Sequence, residues 1–239
     1  MDNKKVFIVA EVGVNHGGSF GIAKALLAAA INAGVDAVKL QLWQPKTFPK
    51  LESLRLSNEH IAMLMKYVEA QGVDVFCTAF DIASVRFLIT QKMCKWKIPS
   101  NRAVLYDMDF LNAIKWNPMR RHTIISTGIM SDDIIKGFYS LFDDKKITLL
   151  HCVSEYPTPT HKLNLDRMLR LKHELGCDVG LSDHSGNYKV PIAAAYLGAD
   201  MIECHITLDK MQDGPDHKAS LNPQKFKKVV QAIRNMENG

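Results

Sequence analysis

From Val6 to Gly13 the chain reads VFIVAEVG, an unbroken apolar and β-branched run rather than an alternating one, the pattern of a strand covered on both faces. Ser19 to Gly34, SFGIAKALLAAAINAG, then repeats its apolar residues at helical spacing and stops on a glycine. DAVKLQLW, Asp36 to Trp43, returns to a strand pattern. Strand, helix and strand in this order predict a βαβ unit, and with it a parallel sheet.

The same alternation runs to the end of the chain. A helix is predicted from about Asn58 to Gln71, then strand DVFCTAF, a helix opened by Asp81, strand CKWKIP, a helix from about Asp107 to Lys115, and strand HTIISTG. Ser131 caps the next helix, before strand ITLLHCVS, a helix from about Asn164 to Leu175, strand DVGLSDH and a helix from about Tyr188 to Leu197. Strand DMIECHITL and a helix opened by Asn222 and Pro223 bring the count to eight of each. Eight alternating units predict a (β/α)8 TIM barrel occupying residues 1–239 as one α/β domain, with a doubly wound open sheet as the alternative. No linker, low-complexity tract or short repeat interrupts it.

Composition narrows the partners. The chain has 30 basic and 25 acidic residues, a formal charge of +5, and the basic ones are dispersed apart from a cluster at Lys225 to Lys228. That pattern favours small anionic metabolites and argues against a nucleic-acid surface. Five cysteines without a C-x-x-C pair read as buried reduced thiols rather than disulfides or a zinc site. There is no leader-like segment and no apolar run near 18 residues, so a cytoplasmic protein outside the membrane is expected.

A barrel builds its active site at the carboxyl ends of its strands, which gives polar residues there functional weight. In order these are Glu11; Lys39 and Gln41; Thr78 and Asp81; Lys97 and Ser100; Ser126; Ser154 and Tyr156; Ser182, Asp183 and His184; Glu203 and His205. Lys39 and Lys97 sit among apolar neighbours, so each buried ammonium needs a carboxylate such as Glu11 or a bound anion. The hydroxyls of Thr78, Ser100, Ser126 and Ser182 suit phosphate oxygens. His184 and His205, on adjacent strands and near Asp183, Glu203 and Asp216, are candidates to hold one divalent metal at an open site. Two glycine-containing loops, GVNHGGS and DGPDHKAS, read either as turns or as places where backbone meets ligand.

Together, AEVGVNHGGS, DAVKLQ, KIPS, STG, LLHCVSEYPTP, GLSDHS, IECHITLD and GPDHKAS resemble the N-acetylneuraminate (sialic acid) synthase family, in order, from Glu11 to Ser220. The resemblance implies a (β/α)8 barrel that condenses phosphoenolpyruvate with an open-chain amino-sugar aldehyde, using Mn2+ or Mg2+. It also implies roles. Lys39, Thr78, Lys97, Ser100, Ser126 and Ser182 match the phosphoenolpyruvate-binding set, and His184 and His205 the metal ligands. Gln41, Tyr156 and Asp216 match the sugar side, and Glu11 and Glu203 acidic site residues.

The chain departs from that pattern on the sugar side. Asn101-Arg102 stands where the family has Gly-Glu, and Ser154 where it usually has Asn. Arg102 is expected to meet an anionic group of a different acceptor, or to replace the arginine of the antifreeze-like domain that normally follows the barrel and reaches a partner's site. A barrel-only member is expected, with a homodimer possible through the barrel. Two rivals stay open: a metal-dependent pyruvate aldolase, and a noncatalytic protein that binds phosphoenolpyruvate and metal.

Overall fold

The computed structural model describes residues 5–143 and 145–238. Eight strands close into a barrel in sequence order: β1 (Phe7–Glu11), β2 (Ala37–Leu42), β3 (Asp74–Ala79), β4 (Lys95–Ile98), β5 (His122–Ser126), β6 (Lys146–His151), β7 (Asp178–Asp183) and β8 (Met201–His205). Every pairing is parallel, and β1 pairs with β8 to close the ring. The open sheet is therefore excluded.

Around it run α1 (Phe20–Ala33), α2 (Asn58–Glu69), α3 (Ile82–Thr90), α4 (Arg102–Leu105), α5 (Met108–Lys115), α6 (Asp132–Phe142), α7 (Leu165–Leu175), α8 (Lys189–Tyr196) and α9 (Pro223–Asn238). The described residues thus hold nine helices where the sequence pattern predicts eight. The extra one, α4, is a single turn too short to carry an apolar repeat, and it is set by Asn101, whose side chain accepts from Ala103 N at 3.0 Å. The same device starts the longer helices at Ser19, Ser57, Asp81, Asp107 and Ser131. A 3-10 turn at Pro49–Leu54, also unpredicted, lies over the mouth between β2 and α2.

Alternation divides each strand between two environments. Ala10, Val38, Leu40, Cys77, Ile98, Ile125, Leu181 and Cys204 are buried in the apolar layer beneath the helices, at 0–1% exposure. Their alternate neighbours Glu11, Lys39, Thr78, Lys97, Ser182 and Glu203 carry the polar groups of the upper barrel. α9 ties the ends of the fold together, since Glu237 accepts from Val6 N at 2.6 Å and Arg234 donates to Val6 O at 2.9 Å.

Of the five cysteines, Cys77, Cys152 and Cys204 are buried and Cys177 is half-buried, while Cys94 is exposed. Cys94 departs from the expectation because it lies in the turn just before β4 begins at Lys95. No helix among the described residues is long and apolar enough to cross a membrane.

Candidate active site

Strand register assembles the mouth. Glu11 lies level with Lys39 on one side and His205 on the other; Gln41 pairs with Thr78, Thr78 with Lys97, and Ser182 with Glu203. All of these side chains except Glu11, with Ser100, Ser126, Ser154, Tyr156 and His184, surround a cavity of about 200 Å³; Glu11 is fully buried and bonded to Lys39 and Gln41, which line it. Residues spread over more than 190 positions of sequence are brought to one place.

Its centre is a quartet of buried charges. Lys39 Nζ lies 2.5 Å from Glu11 Oε2 and 3.6 Å from Glu203 Oε2, and donates to Thr78 Oγ1 at 3.1 Å. Lys97 Nζ reaches both oxygens of Glu203, at 3.1 and 3.3 Å, and Ser182 Oγ donates to Glu203 Oε1 at 2.9 Å. Gln41 Nε2 donates to Glu11 Oε1 at 2.8 Å. The environments push the two lysines apart. Burial opposes the charge of Lys39, but Glu11 and Glu203 outweigh it and raise its pKa; burial wins at Lys97, helped by repulsion from Lys39, and lowers it. Glu203 is buried too, yet Lys39 and Lys97 hold it well below the ordinary carboxylate range.

The two histidines stand side by side with ring centroids 5.6 Å apart. His184 Nδ1 lies 2.8 Å from the Val153 carbonyl, which can only accept, so Nδ1 carries the proton and Nε2 is the acceptor nitrogen. Burial and the neighbouring His205 lower its pKa to about 3, which keeps the ring neutral. Tyr156 stacks on it at 4.0 Å, its hydroxyl 2.9 Å from Nε2. His205 Nδ1 is buried without a hydrogen-bond partner, 3.5 Å from Asp216 Oδ2. A neutral imidazole held from behind and an orphaned ring nitrogen beside a carboxylate fit a divalent cation. Among the described residues no three His, Cys, Asp or Glu side chains gather closely enough to hold a metal alone, so such a cation needs water and substrate to complete its shell.

Both glycine loops prove to be parts of one latch. Asn15 Nδ2 donates to Ile206 O at 2.9 Å and to Ser220 Oγ at 2.8 Å, and Ser220 Oγ donates to Asp216 O at 2.7 Å. His217 Nδ1 and Thr207 Oγ1 are 2.7 Å apart. This sets Asp216 next to His205, and Gly13 makes the approach possible. Gly13 has φ of +54°, and a Cβ there would lie 2.7 Å from Asp216 Oδ2 and 3.0 Å from His205 Nδ1. Gly18 answers a packing need, since a Cβ would lie 2.2 Å from the Ser53 carbonyl oxygen.

Asp81 and Asp183 fasten loops, whereas Ser100 and Ser154 join the rims and also line the cavity. Asp81 accepts from Gln44 N and Thr47 Oγ1, both at 2.7 Å, and from Ser84 N at 2.8 Å, which fastens the β2 loop to α3. Asp183 accepts from Ser185 N and Oγ and holds the turn after β7. Ser154 Oγ donates to Ser100 Oγ at 3.4 Å, and Ser100 Oγ accepts from Ile129 N at 2.9 Å, which joins the rims of β4, β5 and β6.

Arg102 lies apart from this group. It is exposed on the first turn of α4 and lines neither the main cavity nor the one beside it, because the Asn101 cap turns the chain away from the mouth. Asn101 itself lines both. In sequence Asn101 marks only a departure from the family pattern, and Phe80, Pro99 and Cys152, which also line the main cavity, carry no assigned role. Apolar side chains at strand ends carry no chemical signal, so only topology could find them.

The NeuB family profile matches residues 46–239. The chain is 35% identical to N,N'-diacetyllegionaminic acid synthase of Legionella pneumophila, over 97% of this chain and 72% of that protein. It is 30% identical to N-acetylneuraminate-9-phosphate synthase of Homo sapiens, over 97% and 70%. The crystal structure of N-acetylneuraminic acid (sialic acid) synthetase from Leptospira borgpetersenii in complex with citrate superposes with a TM-score of 0.91 at 27% identity, covering 99% of this chain and 85% of that one. With the profile match spanning most of the barrel and such relatives aligned along nearly its whole length, the chain belongs to the NeuB family.

Proposed function

We propose that this protein condenses phosphoenolpyruvate with an amino-sugar aldehyde, giving a sialic-acid-like 2-keto acid and inorganic phosphate. One observation carries the reading: Lys39 and Lys97 converge with the hydroxyls of Thr78, Ser126 and Ser182 on one cavity at the barrel mouth, beside the paired histidines. Family membership and the names of the relatives support the reaction type.

In this reaction C3 of the enolpyruvate bonds to the aldehyde carbon and water adds at C2. The C2–O bond then breaks and phosphate leaves. Of the water's two protons, one ends on the former aldehyde oxygen and the other departs with phosphate. Lys39, Lys97 and the hydroxyls, Ser100 included, hold the carboxylate and phosphate of the enolpyruvate. Glu203, kept ionised between the lysines, holds their ammonium groups in place, and Lys97, with its lowered pKa, is the group best placed to exchange protons with the attacking water and the departing phosphate. Gln41 and Tyr156 orient the acceptor; Glu11 holds Lys39 and Gln41 in place. His184 and His205 would hold Mn2+ or Mg2+, with Asp216 close by, and the cation supplies Lewis acidity toward the carbonyl.

The test is release of phosphate from phosphoenolpyruvate with Mn2+ and a panel of amino sugars. Consumption that needs both substrates supports condensation. Bond formation from pyruvate without phosphate release would instead establish an aldolase. A second reading, binding without turnover, draws on one feature: the β4 rim offers the Asn101 amide and no carboxylate. Tight binding of phosphoenolpyruvate with no consumption across the whole panel would establish it. The relatives' names divide on one point, since one specifies a 9-phosphate product and another a diacetylated acid.

A further inference from the structure

Away from the mouth, one helix of the outer ring is apolar on both faces. α5 begins where Asp107 caps it, accepting from Phe110 N at 2.9 Å, and it buries Phe110, Leu111 and Ile114 inward. Its outward face should then be polar. Instead Met108 is 55% exposed and Trp116, at the end of the helix, 75%. They stand four residues either side of exposed Asn112, so the three form one stripe along the surface. Tyr106, just before the helix, is 69% exposed. Met119, just after it, is exposed as well, in a turn fixed by Asn117, whose buried side chain accepts from Met119 N at 3.0 Å. Four of the twelve large hydrophobic side chains exposed among the described residues thus fall within residues 106–119, a concentration that marks a surface made to be covered.

The arrangement of the stripe selects what covers it. Met108 and Trp116 are equidistant from Asn112, so a two-fold axis crossing α5 at Asn112 brings Met108 of each copy against Trp116 of the other, a sulfur–aromatic contact made twice. The Asn112 amides meet on the axis, where each can donate and accept. The charges agree with this direction. Asp109 lies in the first turn of α5 and Lys115 in the last, so an antiparallel copy sets the acidic end of one helix beside the basic end of the other, whereas a parallel copy sets like beside like. The area is sufficient for a modest interface. The four apolar side chains offer about 500 Å² in each copy, and with their polar surroundings the pair covers about 1,200 Å², the low end for specific contacts.

We propose that the exposed face of α5 is the interface of a symmetric dimer of this chain, paired antiparallel about Asn112. The two barrels then lie side by side with their mouths facing opposite ways, and each site is complete within one copy.

Sedimentation equilibrium of the full chain, without metal or substrate, tests this over about 1–200 µM. A monomer–dimer equilibrium with Kd on the order of 10 µM is expected. Met108→Glu and Trp116→Lys should each raise Kd at least tenfold, since each sets a charge against an apolar partner twice over. Both sites are exposed, and both changes suit the helix dipole, so melting temperatures measured at 1 µM should match the wild type. Mixed in equal amounts, the two variants should dimerise again within about threefold of the wild-type Kd, because the new carboxylate then meets the new ammonium while Met108 and Trp116 still meet on the other side. Asn112→Asp, which sets two carboxylates on the axis, should weaken the dimer independently of these. A chain that stays monomeric at 200 µM overturns the proposal, and so does a dimer that survives all three substitutions. Failure of the mixed variants to recover overturns the antiparallel pairing of Met108 with Trp116.

Discussion

Glu203 meets Lys97 through both of its carboxylate oxygens, at 3.1 and 3.3 Å, and both residues are buried to within 3%. Removing one partner leaves the other charge in a dry interior, which is far costlier than removing both. Glu203→Gln should destabilise the protein by about 3 kcal/mol, with Lys97→Met similar, and the double variant should recover a large part of the loss. Denaturant unfolding of the three variants checks this. Additive losses in the double variant would show that the two charges are not coupled. Either single change should also lower condensing activity by at least about a hundredfold.

Metal content gives a readout independent of catalysis. His184→Asn and His205→Asn should each weaken Mn2+ binding by at least about a hundredfold, and Asp216→Asn by about tenfold, as measured by equilibrium dialysis with metal analysis. Retention of full Mn2+ affinity by both histidine variants would move the metal elsewhere.

Asp81 supplies a stability prediction with a pH sign. Burial opposes its charge, but the Thr47 hydroxyl and the N–H groups of Gln44 and Ser84 outweigh burial, so its folded pKa lies below the ordinary value. Its contribution is therefore present above about pH 4 and is lost as pH falls through the folded value. Asp81→Ala should cost about 1–2 kcal/mol at neutral pH and flatten the acid limb of the stability profile. An acid limb identical to that of the wild type would refute the assignment.

His16 works in a higher window. Burial lowers its pKa to about 4, and its Nδ1 accepts from Gly18 N at 3.0 Å. The folded state binds fewer protons at this site than the unfolded one between about pH 6.5 and 4, so stability must decline as pH falls across that range. The loss should be on the order of 2 kcal/mol, and His16→Gln should remove it. Thermal melts at pH 7 and 5 compare the two proteins directly.

The strand pattern made most of this architecture readable, because strands covered on both faces are apolar without alternation, and these eight recur between amphipathic helices. The polar strand ends were readable for the same reason: a lysine at position 39 or 97 interrupts an apolar run and demands a partner. Glu203 as the common partner was not readable. It lies 106 positions from Lys97, and only closure of β1 onto β8 brings Glu11 and Glu203 to the same lysine. Arg102 shows the opposite limit. Its charge was expected to face the substrate, but Arg102 lies four residues beyond the end of β4, exposed on the single turn of helix that the Asn101 cap begins. The edge-to-face contact of Trp43, Phe48 and Phe80 beside the mouth was hidden because in sequence they look like ordinary core residues.

The equal number of lysines and glutamates in the quartet has a kinetic consequence. Each lysine at the mouth is already cancelled by a neighbour at 2.5 to 3.6 Å, so without a bound divalent cation the quartet projects almost no field into solvent. An arriving anion is not drawn in from a distance; it is recognised only after it has entered and begun to share the ammonium protons. In the metal-free protein the association rate should therefore vary little with ionic strength, and discrimination among anions should appear in how long each one stays.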